Sequence, residues 1–312
     1  MTAPPVQARG LVKRYGDVLA VDDVDLTVEA GDVYGYLGPN GAGKTTVLRM
    51  LLGLIQPTAG EVRLFGADPL VHGATALDGV AGFVEAPRFY PYLTGRKNLE
   101  LLAALDGGDA KARIDGALDV VELTDRQRHK VGGYSHGMRQ RLGVAAALIR
   151  NPRLLLLDEP ATGLDPAGMR DMRALVARLS LSGTTVLLSS HLLAEVEELC
   201  NRVAIVRTGR IVFEGALADL KRTAGAEWRL RTTDDARAME ICRDRRGIAN
   251  VRRDPLELRF EGTEEAASEL SVVLVEAGLA IRALAPHAAT LEDLFFRLTE
   301  DEPAAARLAE AS

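Results

Sequence analysis

The segment from Gly38 to Thr45 contains residue types that can bind phosphate, because it matches the pattern G-x-x-x-x-G-K-[ST] in full. Its glycines let the backbone curl until successive N–H groups face one phosphate group. The ammonium group of Lys44 would reach the β- and γ-phosphates of a nucleotide, and the hydroxyl of Thr45 would ligate Mg²⁺. The sequence therefore predicts a site for a nucleoside triphosphate. The predicted nucleotide-binding residues are Gly38, Pro39, Asn40, Gly41, Ala42, Gly43, Lys44, Thr45 and Thr46.

Two adjacent carboxylates, Asp158 and Glu159, end the apolar run that begins at Leu154. A strand that ends in aspartate places this carboxylate at the carboxyl edge of a sheet, where open α/β folds bind their ligands. Asp158 would hold Mg²⁺ directly or through water, and Glu159 would orient or deprotonate the attacking water. Alone, an Asp-Glu pair also fits a solvated loop. In a chain that carries a phosphate-binding loop, the pair favours a catalytic role.

These side chains require a sheet that holds several loops at one edge. Val33–Leu37 predicts a strand that leads into the phosphate-binding loop, and Thr45–Leu52 predicts the helix after it. Apolar runs at Arg153–Leu157 and Thr184–Ser189 are typical of parallel strands that are covered on both faces. A helix-rich insert is expected at residues 86–150. The pattern indicates an α/β fold with a mixed sheet and a helical insert.

The sequence pattern changes after Lys221, where the residues follow the order β-α-β-β-α-β. We therefore expect a nucleotide-binding domain at residues 1–220 and a small α+β domain at residues 221–300. A last helix is expected at Leu291–Leu298, followed by a disordered tail at residues 301–312. The second domain carries no chemical motif. A structural or dimer-stabilising role and a regulatory role both stay open for it.

Composition argues against several classes of protein. Lys and Arg number 38 against 44 for Asp and Glu, aromatic residues make up 4%, and the net charge is −6. This balance disfavours a nucleic-acid partner. Cys200 and Cys242 allow at most one disulfide, which excludes a disulfide-framed secreted fold. Because we find neither an apolar run of about 18 residues nor a signal peptide, we expect a cytoplasmic chain that does not itself cross a membrane.

The segment Tyr134–Arg141, Tyr-Ser-His-Gly-Met-Arg-Gln-Arg, resembles the signature motif in the ATP-binding subunits of ABC transporters. With the motifs above, this resemblance covers roughly residues 6–218. Ser135 would cap a helix whose positive end can face a γ-phosphate. The resemblance implies a P-loop NTPase fold in which the signature acts in trans, on the ATP bound by the other subunit of a dimer. The signature residues are Ser135, His136, Gly137 and Met138.

Three further positions match this family. Tyr15 matches the aromatic residue that stacks on adenine, although a lone tyrosine also fits a core or surface role. Asp165 lies in a Gly-Leu-Asp-Pro sequence that matches the loop contacting the partner subunit. His191 matches the switch histidine that contacts the γ-phosphate. The resemblance thus implies catalytic roles for His191, Glu159 and Lys44.

Two positions depart from the family pattern. His136 stands where the long form of the signature has glycine, a position that varies among related exporters. Glu85 stands where most members have a glutamine that touches Mg²⁺ and the attacking water. The hypothesis is that Glu85 adds negative charge beside Mg²⁺ and tunes hydrolysis and its coupling to the membrane partner; neutral drift is the alternative. Glu85 and the run Pro87–Thr94 resemble the bacitracin and lantibiotic exporter branch, and Thr290–Phe295 resembles endings of drug-exporter ATPases.

The resemblance implies an ATPase whose ATP-driven dimer closure energises an exporter of a drug, an antibiotic or another hydrophobic compound. ATP and Mg²⁺ would be its cofactors. Its partners would be a second ATPase subunit, identical or related, and a membrane-spanning permease that contacts the helical insert around Phe89–Leu105. The chain would act peripherally at the cytoplasmic face of the cell membrane. The alternative is a non-transport ABC ATPase with a regulatory or sensor role.

Overall fold

The computed structural model describes residues 3–223, 227–287 and 295 of the chain. Contacts divide the chain into two compact units, with the boundary between Leu217 and Ala218. The expected helix Leu291–Leu298 lies outside the described residues except for Phe295. The expected tail at residues 301–312 also lies outside them.

The strands of the first unit form two sheets. They are β1 (Val6–Tyr15), β2 (Val18–Val28), β3 (Val33–Leu37), β4 (Ala59–Leu64), β5 (Val80–Phe83), β6 (Leu154–Asp158), β7 (Thr185–Ser190), β8 (Arg202–Arg207) and β9 (Arg210–Ala216). One sheet is antiparallel with the order β2-β1-β4. The other has the order β5-β6-β7-β3-β8-β9 and is parallel except for the β8–β9 hairpin. The predicted mixed sheet is therefore confirmed.

The helices of the first unit connect these strands. They are α1 (Lys44–Leu51), α2 (Pro69–His72), α3 (Gly95–Asp106), α4 (Ile114–Val120), α5 (His136–Leu148), α6 (Pro166–Leu181) and α7 (Leu193–Leu199). Short 3₁₀ segments lie at Gly73–Leu77, Ala110–Arg113, Thr124–Arg126 and Val131–Gly133. The helix after the phosphate-binding loop begins at Lys44, one residue before the predicted start. Since helix ends shift by a residue or two between descriptions, this difference is minor.

The parallel sheet positions the site because it brings strand ends together. All residues of β3, β6 and β7 are buried, as expected for strands covered on both faces. The register pairs Asp158 with Ser189 and Leu37 with Ser190, so β6, β7 and β3 end at the same edge. The phosphate-binding loop follows β3 directly and leads into α1. Loops that are distant in sequence therefore meet at this edge.

The connection from β5 to β6 contains the helical insert, α3 to α5. Thr94 caps α3 by accepting a hydrogen bond from the backbone N–H of Lys97 (3.2 Å). Ser135 caps α5 in the same way, with the N–H of Met138 as donor (3.2 Å). The cap at Ser135 is the one that the sequence predicts. Serine and threonine suit this position because their side chains satisfy N–H groups that the first helical turn leaves unpaired.

The second unit contains a four-strand antiparallel sheet and two helices of its own. After α8 (Leu217–Thr223), its elements are β10 (Glu227–Thr232), α9 (Asp235–Arg243), β11 (Ile248–Arg253), β12 (Leu258–Gly262), α10 (Glu264–Glu276) and β13 (Ile281–His287). The strand order is β11-β12-β10-β13. Leu230, Phe260 and Leu270 belong to its buried core. The β-α-β-β-α-β order predicted from the sequence is confirmed.

In the described part of the chain, the two cysteines form no disulfide and the helices are not of the membrane-spanning kind. Cys200 and Cys242 are both buried free thiols. Burial raises the pKa of Cys242 to about 11, so this residue packs as a neutral apolar group. Within residues 3–223 and 227–287, no helix has the length and apolar character that crossing a membrane requires.

The close approach of β5 to β6 leads to a testable prediction. A Cβ added to Gly82 would lie 1.9 Å from the carbonyl oxygen of Leu156, whereas a Cβ added to Gly116 in α4 would meet nothing within 4 Å. We expect Gly82→Ala to lower the free energy of unfolding by about 2–4 kcal/mol, because the backbone of β6 cannot move aside without disturbing the sheet. The control Gly116→Ala should raise it by about 0.4–1 kcal/mol. Urea denaturation measures both, and equal midpoints would contradict the observed packing.

Candidate active site

Asp158, the last residue of β6, is buried and holds two hydroxyl groups. Its Oδ2 accepts a hydrogen bond from Thr45 Oγ1 (2.9 Å), at the start of α1. Its Oδ1 accepts one from Ser189 Oγ (2.5 Å), on the neighbouring strand β7. The parallel register places Ser189 directly beside Asp158. The carboxylate therefore ties the first helix to the sheet edge.

The pair Thr45 and Asp158 fits a magnesium ion. Mg²⁺ prefers hard oxygen ligands, and in nucleotide sites it takes one or two side chains together with phosphate oxygens and water. A hydroxyl and a carboxylate oxygen converge here at the edge where a phosphate would lie. This donor set matches the metal ligands that the sequence predicts at these two positions.

Glu159 makes a sharp turn after β6. Its φ of 47° lies in the left-handed region, which is uncommon outside glycine and occurs at functional sites. The turn is held because the N–H of Glu159 donates to both the carbonyl oxygen (3.2 Å) and the hydroxyl oxygen (3.0 Å) of Ser189. Ser189 thus fixes both acidic residues.

The carboxylate of Glu159 is surrounded by three donors. Lys44 Nζ lies 3.2 Å from Oε1. Thr162 Oγ1 donates to Oε2 (2.9 Å), and His191 Nδ1 lies 3.0 Å from the same oxygen. Because a carboxylate only accepts, Nδ1 of His191 carries the hydrogen of this bond. The structure therefore brings the three predicted catalytic residues into direct contact.

These donors determine the charge of Glu159. Burial alone would raise the pKa of Glu159, but the hydrogen bonds from Thr162 and Lys44 and the nearby charges of Lys44 and His191 lower it below its ordinary value. The carboxylate is consequently ionised at neutral pH. An ionised carboxylate can accept a proton from water, which is the property that a general base needs.

Lys44 is buried and uses its ammonium group entirely within the site. Besides Glu159, Nζ donates to the carbonyl oxygens of Gly38 (2.8 Å) and Pro39 (3.1 Å). The loop approaches β2 so closely that a Cβ on Gly43, whose φ is 94°, would lie 2.3 Å from the carbonyl oxygen of Ala20. Only glycine fits this position, in agreement with the sequence pattern.

The tip of the phosphate-binding loop is open to solvent. Pro39, Asn40 and Gly41 are exposed, Ala42 is buried and Thr46 is half-buried. An exposed loop tip leaves its backbone accessible to a phosphate group.

Tyr15 lies apart from these groups at the end of β1. Its ring is 45% exposed, and Lys13 Nζ lies 5.0 Å from the ring centroid. An exposed aromatic face is available for stacking, although Tyr15 does not line the cavity described below.

His191 is held in place by the residues beside it. Ser190 Oγ accepts a hydrogen bond from the N–H of Leu192 (2.9 Å) and donates to Oε2 of the buried Glu195 (2.6 Å). Burial raises the pKa of Glu195. The carbonyl oxygen of Ser190 also accepts the N–H of Gly38 (3.2 Å), so the histidine turn and the phosphate-binding loop are joined.

Glu85 contacts Asp158 through its backbone, while its side chain pairs with an arginine. Its N–H donates to Asp158 Oδ2 (3.3 Å), and its φ is 65°. Its carboxylate forms an ion pair with Arg49 of α1 and is 57% exposed. The negative charge expected beside Mg²⁺ is therefore shared with an arginine.

The signature residues lie in the first turn of α5. Ser135 is its cap, followed by His136, Gly137 and Met138. Nε2 of His136 lies 3.1 Å from the carbonyl oxygen of Thr162. Asp165 caps α6, since its Oδ1 accepts the N–H of Gly168 (2.8 Å).

A cavity of about 430 Å³ joins the predicted groups. Thr45, Asp158 and Glu159 meet there with His136 of the signature and with Glu85. The complete lining is Thr45, Glu85, Ala86, His136, Gln140, Asp158, Glu159, Thr162 and Gly163. The first turn of α5 thus borders the same space as the carboxylates of Asp158 and Glu159 in its own chain.

Sequence reasoning missed four residues of this site. Ser189 is one residue before the end of an apolar strand, and only the register with β6 reveals its role. Thr162 reaches the carboxylate of Glu159 because the backbone turns sharply at Glu159, three residues earlier. Arg49 was missed because its partner lies on another segment, and Gln140, buried in α5, is brought to the cavity by tertiary packing.

Comparison with known proteins identifies the family. A family model described as ABC transporter matches residues 21–162. The bacitracin transport ATP-binding protein of Enterococcus faecalis is 36% identical over 94% of this chain and 96% of its own length. A daunorubicin resistance ATP-binding protein of Streptomyces coeruleorubidus is 38% identical over 97% of this chain and 98% of its own length. These similarities extend well beyond the matched core into the second unit.

Solved structures resemble the first unit. The ATP-binding subunit of an ABC transporter aligns with a TM-score of 0.63 and 28% identity, covering 70% of this chain and 92% of that chain. A dimeric ATP-binding cassette in a post-hydrolysis state with ADP and phosphate aligns with a TM-score of 0.60 and 25% identity, covering 68% of this chain and 98% of that chain. The chain therefore belongs to the ATP-binding subunits of ABC transporters, a family of ATPases with the P-loop NTPase fold.

Proposed function

We propose that this ATPase energises the export of a drug, an antibiotic or another hydrophobic compound through a separate membrane permease. The ATPase part rests on one observation above all: the ionised carboxylate of Glu159 contacts Lys44 and His191 beside the phosphate-binding loop. The exporter part is supported by relatives that are named for bacitracin transport and daunorubicin resistance and that align over more than nine-tenths of the chain.

Binding of ATP would begin with an exchange of partners at Lys44. The phosphates would lie against the backbone N–H groups of the loop from Gly38 to Thr46. Since the ammonium group of Lys44 has three donors and all three have acceptors within the site, at least one must be given up to a phosphate oxygen. If Lys44 leaves Oε1 of Glu159 for a phosphate oxygen, this carboxylate oxygen becomes free to bind the attacking water.

Thr45 and Asp158 would hold Mg²⁺, with Glu85 as a further acidic group close by. The ion would supply positive charge that neutralises the phosphate oxygens and orients the nucleotide. The fixed hydroxyl of Ser189 would keep Asp158 oriented toward that position.

Hydrolysis would depend on the pair Glu159 and His191. Glu159 would orient the attacking water and accept its proton, and the contact with Nδ1 of His191 would hold the ring so that Nε2 faces the γ-phosphate. To donate to a phosphate oxygen while also donating to Glu159, His191 must carry hydrogens on both nitrogens. Tyr15 would supply the stacking surface for adenine.

A second ATPase subunit would complete each site. The positive end of α5, with Ser135, His136, Gly137 and Met138, would face the γ-phosphate bound by the partner subunit. Asp165 and its loop would contact that subunit. The dimeric solved structure with ADP and phosphate supports this arrangement for a related cassette. Both a homodimer and a heterodimer agree with this proposal.

A groove on the helical insert is the proposed contact for the permease. It has a volume of about 390 Å³, and its apolar lining includes Phe83, Phe89 and Leu105. Arg150 and Asp106 form an ion pair in its lining (2.7 Å). An apolar groove with a charged border suits the apolar face of a short helix in a cytoplasmic loop of the permease. This contact would place the ATPase at the cytoplasmic face of the membrane. The alternative is a non-transport ATPase with a regulatory or sensor role.

The base assignment is tested with Glu159→Gln. An amide cannot accept the proton, so turnover should fall about 10²–10⁴-fold, while ATP still binds and a closed dimer accumulates. Phosphate release and size-exclusion chromatography in ATP measure these outcomes. Glu276→Gln, an exposed position of α10, is the matched control and should behave as the unaltered chain. Near-normal turnover of Glu159→Gln would remove Glu159 from this role.

The role of Glu85 is tested with Glu85→Gln. Loss of a charge near the metal should raise the Mg²⁺ concentration for half-maximal ATPase activity by up to about fivefold, because an exposed charge contributes ~1 kcal/mol at most. Glu61→Gln is the control, because Glu61 is also exposed and also forms an ion pair with an arginine, Arg63. If Glu85→Gln and Glu61→Gln have the same Mg²⁺ dependence as the original chain, the proposed tuning by Glu85 is wrong.

The permease contact is tested by co-purification from detergent-solubilised membranes. We expect a tagged chain to retain an integral membrane protein with several spans, identified by mass spectrometry. Leu105→Asp should lose this partner because it places a charge in the groove, whereas Leu181→Asp, equally exposed in α6, should keep it; the two side chains are 85% and 89% exposed. Retention by Leu105→Asp would contradict the groove, and a soluble partner alone would favour the regulatory alternative.

A further inference from the structure

The ring of His136 lies against the turn that follows Glu159. Its Nε2 is 3.1 Å from the carbonyl oxygen of Thr162. A Cβ placed on Gly163 would lie 3.4 Å from Nε2 and 3.6 Å from Cδ2, so the ring packs directly on the backbone of this glycine. Because a carbonyl oxygen only accepts, Nε2 carries the hydrogen of this bond.

The same turn holds the catalytic carboxylate. Thr162 donates its hydroxyl to Oε2 of Glu159 (2.9 Å) and its N–H to the carbonyl oxygen of Glu159 (3.1 Å). Oε2 is also the oxygen that contacts His191. One residue, Thr162, therefore lies between the ring of His136 and the base.

A second contact keeps the two segments together. A Cβ on Gly137 would lie 3.6 Å from Cδ2 of Leu164, which places the first turn of α5 beside the chain from Thr162 to Leu164. The cavity beside Asp158 is lined by both segments, through His136 on one side and through Thr162 and Gly163 on the other. The first turn of α5 is therefore in contact with the turn that follows Glu159.

We propose that His136 is a positioning residue that couples α5 to Glu159 of the same subunit. This inference rests on the proposed trans action of the signature. When ATP on the partner subunit draws the first turn of α5 toward its phosphate, the hydrogen bond from Nε2 moves the Thr162 carbonyl and sets the orientation of Glu159. Binding at one site thereby prepares the base of the other. A glycine at position 136, as in the long form of the signature, has no side chain to make this contact.

The alternative is that His136 contacts the nucleotide itself. The two roles differ in their kinetics, because loss of a nucleotide contact weakens ATP binding, whereas loss of a positioning contact lowers kcat at unchanged affinity. The positioning role also predicts that the two ATP sites of the dimer act cooperatively and that this cooperativity is lost without the imidazole ring of His136.

The test uses variants of the full chain and measures kcat, the Hill coefficient for ATP and the Kd for a fluorescent mant-ATP. His136→Ala should lower kcat about tenfold, bring the Hill coefficient to 1 and change Kd less than about twofold. His136→Gln should recover most of the rate, because its amide N–H reaches about as far as Nε2; His136→Asn, whose amide is too short, should not recover it. His72→Ala is the matched control, since His72 also contacts a backbone carbonyl, that of Asp68 (3.0 Å), but on α2.

Three outcomes would overturn the inference. The first is that His136→Ala leaves kcat and the Hill coefficient unchanged. The second is that its Kd for ATP rises enough to account for the whole loss of activity. The third is that His136→Gln has a kcat as low as that of His136→Ala. Unfolding midpoints measured in urea separate these effects from loss of fold. A Glu159→Gln variant tested in parallel separates the two proposals. If Glu159→Gln stops turnover while His136→Ala leaves kcat and the Hill coefficient unchanged, only the coupling is wrong; if Glu159→Gln retains turnover, the proposed mechanism is wrong and the coupling with it.

Discussion

The ion pair between Lys44 and Glu159 is the interaction on which the rest of the site depends. It joins the loop after β3 to the turn after β6; Lys44 is buried and Glu159 is half-buried. Removing one partner from such a pair is costly, because it leaves the other charge without compensation in a poorly solvated place. A phosphate group can take the ammonium group of Lys44 while leaving it paired with negative charge. In the proposed mechanism, binding of a triphosphate and release of Glu159 are therefore the same event.

This pair can form only because the sheet is parallel. The ends of β3, β6 and β7 lie at one edge, and the register sets Ser189 beside Asp158. Ser189 then fixes the backbone of Glu159 in its left-handed conformation, which turns the carboxylate toward Lys44 and His191. The helical insert adds α5 at the border of the same cavity. The first turn of α5, which carries the signature residues, contacts the turn that follows Glu159.

Residues whose roles depend on their neighbours in the sequence could be predicted, whereas residues whose roles depend on contacts between distant segments could not. The phosphate-binding loop has a fixed spacing because its glycines and Lys44 serve one ligand through consecutive backbone groups. The cap at Ser135 and the order of helices and strands along the second unit also follow from local patterns, and the structure confirms them. Ser189 and Thr162 were missed because their roles arise from strand register and from a strained turn. The pairing of Glu85 with Arg49 likewise depends on where α1 packs. The catalytic, metal and trans roles stay predictions.

The exchange at Lys44 is tested most directly by a ¹³C NMR titration of the Glu159 carboxyl group, assigned by comparison with Glu159→Gln. The ammonium group and the hydroxyl of Thr162 hold the pKa of Glu159 below its ordinary value despite burial. Addition of a non-hydrolysable ATP analogue with Mg²⁺ should raise that pKa, because Lys44 turns to the phosphates while the half-buried carboxyl group stays beside negative charge. A pKa that is unchanged by the analogue would show that Lys44 stays on Glu159, which would contradict the account.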